Sequence, residues 1–170
     1  MTVLITVASR HKSTAEIGAF LADNLEAAGI AAVVRDPAEV DDVRPFQAVI
    51  AGSGVYAGAW LPQARDFVER FAEDLRARPV WLLSSGPLGD PAKPDGDPDG
   101  VLPLIELIQP RGHRVFAGRL DRTDLGLGEK LVVKVVRAPD GDFRDWGAIG
   151  AWAREIAGQL APTEHLIEVL

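Results

Sequence analysis

Three short runs of this chain are apolar and β-branched, with no alternation of polar and apolar residues. They are Thr2–Ala8 (TVLITVA), Phe46–Ala51 and Pro79–Leu83. A strand with this pattern is buried on both faces, which is typical of a parallel sheet covered by helices on each side. We therefore predict an α/β fold in which the sheet is the middle of three layers.

Two further strands and four helices complete the predicted order. Ile30–Val34 and Arg114–Ala117 are the second and fifth strands. Apolar residues at steps of three and four predict helices over residues 13–28, 62–75, 101–108 and 146–160. Ser13 and Glu16 fit a capping box at the start of the first helix, and Asp145 fits an N-cap of the last. A linker, residues 35–45, stands where a helix would join the second and third strands.

Composition excludes several classes of protein. The 170 residues have the length of one domain, so residues 1–170 are taken as a single domain. The chain has no cysteine, which excludes disulfides and thiolate metal sites, and its three histidines are scattered, so no metal is expected. A net charge of −7 disfavours nucleic acid. No charged leader and no apolar stretch of ~20 residues is present, so a cytoplasmic protein without a transmembrane segment is expected.

The secondary structure of two segments, residues 127–136 and 90–100, needs separate consideration. Leu131–Val136 has strand propensity, but Leu127, Leu131, Val132 and Val135 also share one helical face. Burial of that face is expected to outweigh β-propensity and to favour a helix. The Pro/Gly/Asp-rich residues 90–100 carry four aspartates without EF-hand spacing, so a solvated loop is expected there.

Three loops are the candidate functional site. Ligands of open parallel sheets bind beyond the carboxyl ends of the strands, and strands one, three and four each end there in small and hydroxyl residues. The first loop runs directly into a helix N-terminus, which suits a phosphate. Neither a Walker A loop nor G-x-G-x-x-G is present, and a Ser/Thr cluster alone is more often a helix cap. No catalytic residue is assigned.

The combination of the three loops is more specific. SRHKST (residues 9–14) resembles the phosphate loop of flavodoxins, GSGVYAGAW (52–60) their second flavin loop, and SSGPLG (84–89) their third. The likeness is closest to flavodoxin-like proteins such as the menaquinone-dependent protoporphyrinogen dehydrogenases. It also rests on VASRHKSTAEIGAFLA, IAGSGVYAGAWLPQARDFVERF, RVFAGRLD and FRDWGAIGAWAREIA, and so covers almost the whole chain.

The resemblance implies a five-stranded parallel sheet of order 2-1-3-4-5 with helices on both faces, and FMN as cofactor. Flavodoxin is a standard example of that strand order. The implied flavin-binding residues are Ser9, Arg10, His11, Lys12, Ser13, Thr14, Ser53, Gly54, Val55, Tyr56, Ala57, Ser85, Gly86, Pro87, Leu88 and Gly89. Hydroxyls and amides of the first loop are expected on the phosphate, Tyr56 on the ring, and amides of residues 86–89 on the pyrimidine edge.

The first loop departs from the flavodoxin pattern. Lys12 stands where flavodoxins usually have glycine, which puts close backbone approach in question. Arg10, His11 and Lys12 make the loop cationic, and cations beside a flavin would raise its reduction potential. The alternative is that these three side chains turn away into solvent.

In this family residues 119–138 correspond to a mostly helical insertion. Its surplus of cations and its apolar face make it the expected contact for a redox partner protein, a quinone or the inner face of a membrane. The implied function is electron transfer or quinone-linked oxidoreduction through FMN, with protoporphyrinogen oxidation as the specific case. The alternative is a flavodoxin-fold protein that no longer binds FMN and serves as a non-redox binding module. The loop does not distinguish FMN from a deazaflavin.

Overall fold

The computed structural model describes residues 1–88, 96–136 and 138–161. Gly89, an implied flavin-binding residue, and Arg137 lie outside these ranges, as does most of the acidic loop. Elements are numbered in chain order.

Five parallel strands form the sheet in the order β2-β1-β3-β5-β6. They are β1 (Thr2–Ala8), β2 (Ala31–Arg35), β3 (Ala48–Tyr56), β5 (Val80–Ser85) and β6 (Gly112–Phe116). The two-residue strand β4 (Ala59–Trp60) turns back antiparallel on the end of β3. The predicted fold class and strand order are therefore confirmed, but β3 continues to Tyr56, well beyond the predicted end at Ala51.

Helices cover both faces of this sheet. On one face α1 (Ser13–Ala27) and α6 (Trp146–Leu160) pack on Val3 and Ile5 of β1. On the other face Leu4 packs with α2 (Pro62–Arg70), α3 (Ala72–Arg76) and α4 (Leu102–Ile108). Neighbouring residues of β1 thus enter opposite cores, because side chains alternate along a strand. This arrangement explains why the run carries no polar alternation.

Two helix ends differ from the sequence prediction. The predicted helix 62–75 is two helices, α2 and α3, separated at Phe71. The capping box is wrong: Lys12 precedes α1, and α1 has no side-chain cap. Glu16 instead forms an ion pair with Arg144. The predicted cap of α6 is confirmed, since the Asp145 carboxylate accepts from the Ala148 amide at 2.9 Å.

Residues 119–138 contain a helix, α5 (Leu127–Val136), as predicted, and not a sixth strand of the main sheet. A short hairpin of β7 (Arg119–Leu120) and β8 (Gly141–Asp142) flanks it, which the sequence did not indicate. The expected burial of the helix is wrong: Leu127, Leu131 and Val132 are 90%, 64% and 60% exposed. None of the helices in the described residues has the length and apolar character needed to cross a membrane.

Candidate functional site

Three of the loops come together at the carboxyl edge of the sheet, because β1, β3 and β5 are parallel neighbours. A cleft of about 530 Å³, here called the edge cleft, opens between the second loop, the third loop and residues 96–99. Val55, Ala57, Gly86 and Pro87, all predicted site residues, contribute to it. Its complete lining is Val55, Ala57, Gly58, Gly86, Pro87, Gly96, Asp97, Pro98 and Asp99.

The first loop keeps a glycine-like backbone without a glycine. Lys12 has φ 63° and ψ −16°, the left-handed conformation that glycine adopts at little cost. For lysine this conformation costs roughly 1–2 kcal/mol. The Lys12 carbonyl still accepts from the Glu16 amide at 2.9 Å, so α1 begins directly after the turn. Lys12 thus adopts the kind of left-handed turn that glycine favours, despite its side chain.

The hydroxyl groups of this loop differ in environment. Thr14 is 3% exposed, while Ser9 and Ser13 are half-buried. The Ser13 hydroxyl accepts from the Arg119 amide at 3.3 Å, and the Ser13 amide donates to the His11 carbonyl at 2.8 Å. Ser13 is therefore already engaged by the protein, and Thr14 is the buried hydroxyl at the start of α1.

Gly54 allows the first two loops to approach each other. A Cβ at this position would lie 3.2 Å from the Thr14 hydroxyl oxygen and 3.0 Å from the Tyr56 ring. Both distances are tighter than ordinary van der Waals contact. The Tyr56 ring and the Thr14 hydroxyl therefore both lie close to Gly54.

Two of the three basic side chains of the first loop contact a carboxylate from α5. Glu129 Oε1 lies 3.2 Å from Arg10 Nη1 and 3.0 Å from His11 Nε2. Its other oxygen, Oε2, accepts from the Gly126 amide at 3.0 Å. The Gly126 amide first, and then the His11 ring, lower the pKa of Glu129 to about 2. Lys12 remains exposed.

Arg10 also covers one face of Tyr56. Its guanidinium carbon lies 4.6 Å from the ring centroid, which is a cation–π contact. Burial raises the pKa of Tyr56, so the phenol stays protonated at neutral pH. The stacking of Tyr56 on a flavin remains a prediction.

The second loop is a β-hairpin with a strained tip. Val55 pairs with Trp60 and Tyr56 with Ala59, which leaves Ala57 and Gly58 as a two-residue turn. Both have positive φ, 49° and 75°, as a type I′ turn requires.

Ser53, a predicted binding residue, has a structural role in that hairpin. It is fully buried, accepts from the Leu61 amide at 2.9 Å and donates to the Gly54 carbonyl at 2.7 Å. Its hydroxyl therefore holds the hairpin and does not line the edge cleft.

The third loop is tied to the end of β6. The Gly86 amide donates to the Phe116 carbonyl at 3.3 Å, and the Pro87 carbonyl accepts from Gly118 at 2.7 Å. The Gly86 amide was expected to be free for a ligand, and this contact corrects that expectation. Ser85 is buried, Leu88 is half-buried, and Gly89 lies outside the described residues.

Residues 96–99 form the wall of the edge cleft opposite the hairpin. The sequence predicted a solvated loop here, and Gly96, Asp97 and Asp99 are exposed, but their position opposite the hairpin was not predicted. The Gly100 amide donates to the Gly58 carbonyl at 3.0 Å, and the following residue, Val101, is fully buried. Anchoring by Gly100 and Val101 holds the acidic segment against the hairpin. The composition of residues 96–99 alone does not predict that they lie against the hairpin.

Comparison with known proteins places this arrangement in a family. A family model described as a flavodoxin domain matches residues 4–146. The chain belongs to the flavodoxin domain family. No curated protein sequence matches it. The narrower likeness to protoporphyrinogen dehydrogenases has no support from these comparisons.

Solved flavodoxin structures share the fold of this family member at low sequence identity. Oxidised flavodoxin 2 from Bacillus cereus has a TM-score of 0.63 at 16% identity, with 94% of this chain and 99% of that one covered. A flavodoxin from Streptococcus pneumoniae has a TM-score of 0.58 at 18% identity, with 94% of this chain and 100% of that one covered. Rubredoxin oxygen:oxidoreductase from Desulfovibrio gigas has a TM-score of 0.64 at 12% identity. The match covers 93% of this chain but only 35% of that longer protein.

The contact between Glu129 and the first loop predicts that the free energy of unfolding depends on pH. Because the pKa of Glu129 is lowered on folding, its stabilisation is present above pH 4.5 and is lost as the pH falls toward 2. Glu129→Gln should lower the free energy of unfolding by ~0.2–1 kcal/mol at pH 7, as for exposed ion pairs. The difference from wild type should shrink between pH 4.5 and pH 3, measured by urea unfolding.

Glu26→Gln, at an exposed glutamate of α1, is the matched control and should leave stability unchanged at both pH values. A difference for Glu129→Gln that stays constant from pH 7 to pH 3 would contradict the ion pairing.

Proposed function

We propose that this protein binds FMN at the carboxyl edge of the sheet and transfers electrons. The observation that carries the proposal is the buried Thr14 hydroxyl at the start of α1, at the same edge of the sheet as the edge cleft, in a member of the flavodoxin domain family. The cleft volume of about 530 Å³ lies within the usual range for small-molecule sites.

The residues present fit the two halves of FMN. A phosphate suits the N-terminal turn of α1, with the hydroxyls of Thr14 and Ser9 close by. The flat ring suits the edge cleft, whose lining is largely backbone and small side chains. When bound, FMN supplies one- and two-electron chemistry, and the protein supplies orientation and electrostatic tuning.

The charges around the cleft favour a lowered reduction potential. Asp97 and Asp99 line the cleft, and Glu129 compensates Arg10 and His11. Negative charge beside a ring opposes the arrival of electrons. This replaces the expectation of a raised potential, which assumed that the loop cations act on the ring without compensation.

Thr14 provides the most direct test of phosphate binding. Thr14→Val removes the hydroxyl at nearly constant volume and with it a charge-assisted hydrogen bond of ~1.5–3 kcal/mol. FMN affinity should therefore fall about tenfold or more, whereas riboflavin, which has no phosphate, should bind as to wild type. Affinities are measured by flavin fluorescence titration.

Thr14→Ser keeps the hydroxyl and is the matched control, with FMN affinity close to wild type. Ser9→Ala tests the second hydroxyl. Unchanged FMN affinity in both Thr14→Val and Ser9→Ala would overturn the phosphate assignment. A wild-type protein that stays colourless with excess FMN would favour the non-redox binding module instead.

The partner of this electron carrier is proposed to dock on α5. Leu127, Leu131 and Val132 are exposed on it, with Lys130 and Lys134 also exposed nearby. Exposed apolar residues beside cations suit an acidic protein surface, and steering by charge accelerates such encounters. Arg119 does not contribute a free charge, because it pairs with Glu16 and Asp124.

The narrower proposal is a quinone-linked oxidoreductase of the protoporphyrinogen dehydrogenase type, with a quinone or a membrane surface at α5. Its support is the likeness of the three loops and of the Asp145–Trp146 start of α6 to those proteins. The compensated cations of the first loop offer it no further support, since a carboxylated substrate would compete with Glu129 for them.

Charge reversal on α5 separates these docking proposals. Lys130→Glu with Lys134→Glu should slow reduction of an acidic redox protein at low salt, with FMN affinity unchanged. Stopped-flow rates measure the effect. Arg65→Glu with Arg154→Glu makes the same charge change at exposed positions of α2 and α6 and should leave the rate unchanged. Equal rates for both double variants would refute docking at α5, and slowed reduction of a water-soluble quinone alone would favour the quinone.

A further inference from the structure

A continuous chain of side-chain hydrogen bonds crosses the carboxyl edge of the sheet. Trp60 Nε1 donates to Ser84 Oγ at 2.7 Å, Ser84 Oγ lies 2.8 Å from His113 Nε2, and His113 Nδ1 lies 2.9 Å from Asp97 Oδ1. Ser84 is fully buried and the His113 side chain is 5% exposed, whereas the Asp97 side chain is half exposed. These four residues are called the edge relay below.

The direction of each bond follows from the chemistry of its ends. An indole N–H only donates, so the Ser84 oxygen accepts from Trp60. An ionised carboxylate only accepts, so His113 carries its proton on Nδ1 and donates to Asp97. The Ser84 hydroxyl then donates to His113 Nε2, which requires a neutral ring. Burial lowers the pKa of His113, in agreement with that assignment.

The edge relay joins the two walls of the edge cleft. Trp60 lies in β4, behind the hairpin tip that forms one wall, and Asp97 lies in the opposite wall. Ser84 in β5 and His113 in the neighbouring strand β6 connect them beneath the cleft. One wall is therefore linked to the other through two strands of the rigid sheet.

A second contact joins the same two walls. The Gly100 amide donates to the Gly58 carbonyl, and a Cβ at Gly100 would lie 2.8 Å from the Ala59 Cα. That spacing leaves no room for a side chain. Residues 97–100 are thus held at one end by His113 and at the other by the hairpin, with Pro98 and Asp99 facing the cleft between these anchors.

We propose that the edge relay sets the width of the edge cleft and holds it open for a flat ring, so that His113 and Asp97 are positioning residues for the ring half of the flavin. This inference rests on the proposed function. A bound ring meets a wall that is already ordered and does not have to order it on binding. Preorganisation of this kind raises affinity without any additional contact.

The test compares two flavins on variants that break the relay. Asp97→Ala removes the carboxylate from a half-exposed position, and His113→Phe removes both imidazole bonds while keeping a ring in place. Each should weaken FMN and riboflavin by the same factor, about fivefold, because the ring must then order the wall itself. The double variant should bind no more weakly than either single one, since all act on one relay.

Two controls separate positioning from fold stability. Asp97→Asn keeps an oxygen acceptor for His113 Nδ1–H and should restore both affinities. Arg114→Ala, at the exposed residue next to His113 on β6, removes an ion pair to Glu155 and should leave both affinities unchanged. Melting temperatures establish that every variant is folded at the temperature of the titration.

The outcomes are distinguishable. If wild type binds both flavins and Asp97→Ala binds them equally well, the relay serves only the fold and the inference is overturned. The inference is also overturned if Asp97→Ala lowers the affinity for FMN but not for riboflavin, because the substitution then acts on phosphate binding. If wild type binds neither flavin, the proposed function has failed and the inference fails with it.

Discussion

Burial of β1, β3 and β5 on both faces is the constraint on which the rest of the structure depends. Val3 and Ile5 enter one core and Leu4 the other, so these strands have no solvated face on which to carry function. Polar groups that interact with a ligand must then lie at the ends of the strands. Because the strands are parallel, their carboxyl ends share one edge, and three loops converge there.

Charged side chains at the carboxyl edge of the sheet are paired with residues from other elements. The first loop is cationic in sequence, but a carboxylate brought by α5 pairs with Arg10 and His11. On the other side of the edge cleft, Asp97 is held by a neutral His113. The edge therefore combines the N-terminal turn of α1, where Glu129 partly offsets the basic side chains, with a cleft that has an acidic wall. Such a combination suits a bound phosphate together with a low reduction potential.

Much of the fold could be predicted from local sequence, since it depends on patterns within one element. Unbroken apolar runs predicted the strands, and the spacing of apolar residues predicted α1 and α6. The Asp145 cap was predictable because it joins residues within one helical turn. The helical conformation of α5 was also predicted, but the expected burial of its apolar face was wrong. An apolar face shows that a helix can pack and does not show whether a neighbour is present.

The candidate site was less predictable, because its defining contacts join residues far apart in the chain. Glu129 meets Arg10 across 119 positions, and Ser84 meets His113 across 29. No spacing rule identifies such pairs. Backbone strain was equally hidden: Lys12 and Ala57 adopt left-handed conformations for which glycine or asparagine would have been the signal. Ser13 resembled a helix cap, yet its hydroxyl accepts from Arg119.

The proposed function requires one edge of the sheet to hold both halves of FMN. Amide chemical-shift mapping by heteronuclear NMR, with FMN titrated into labelled protein, tests this requirement. The largest shifts should fall in residues 9–14, 54–58, 86–88 and 96–100. Residues at the opposite end of the sheet, such as Gly29, Ile30 and Val80, should not move. Shifts centred on that opposite end, or none at saturating FMN, would contradict the account.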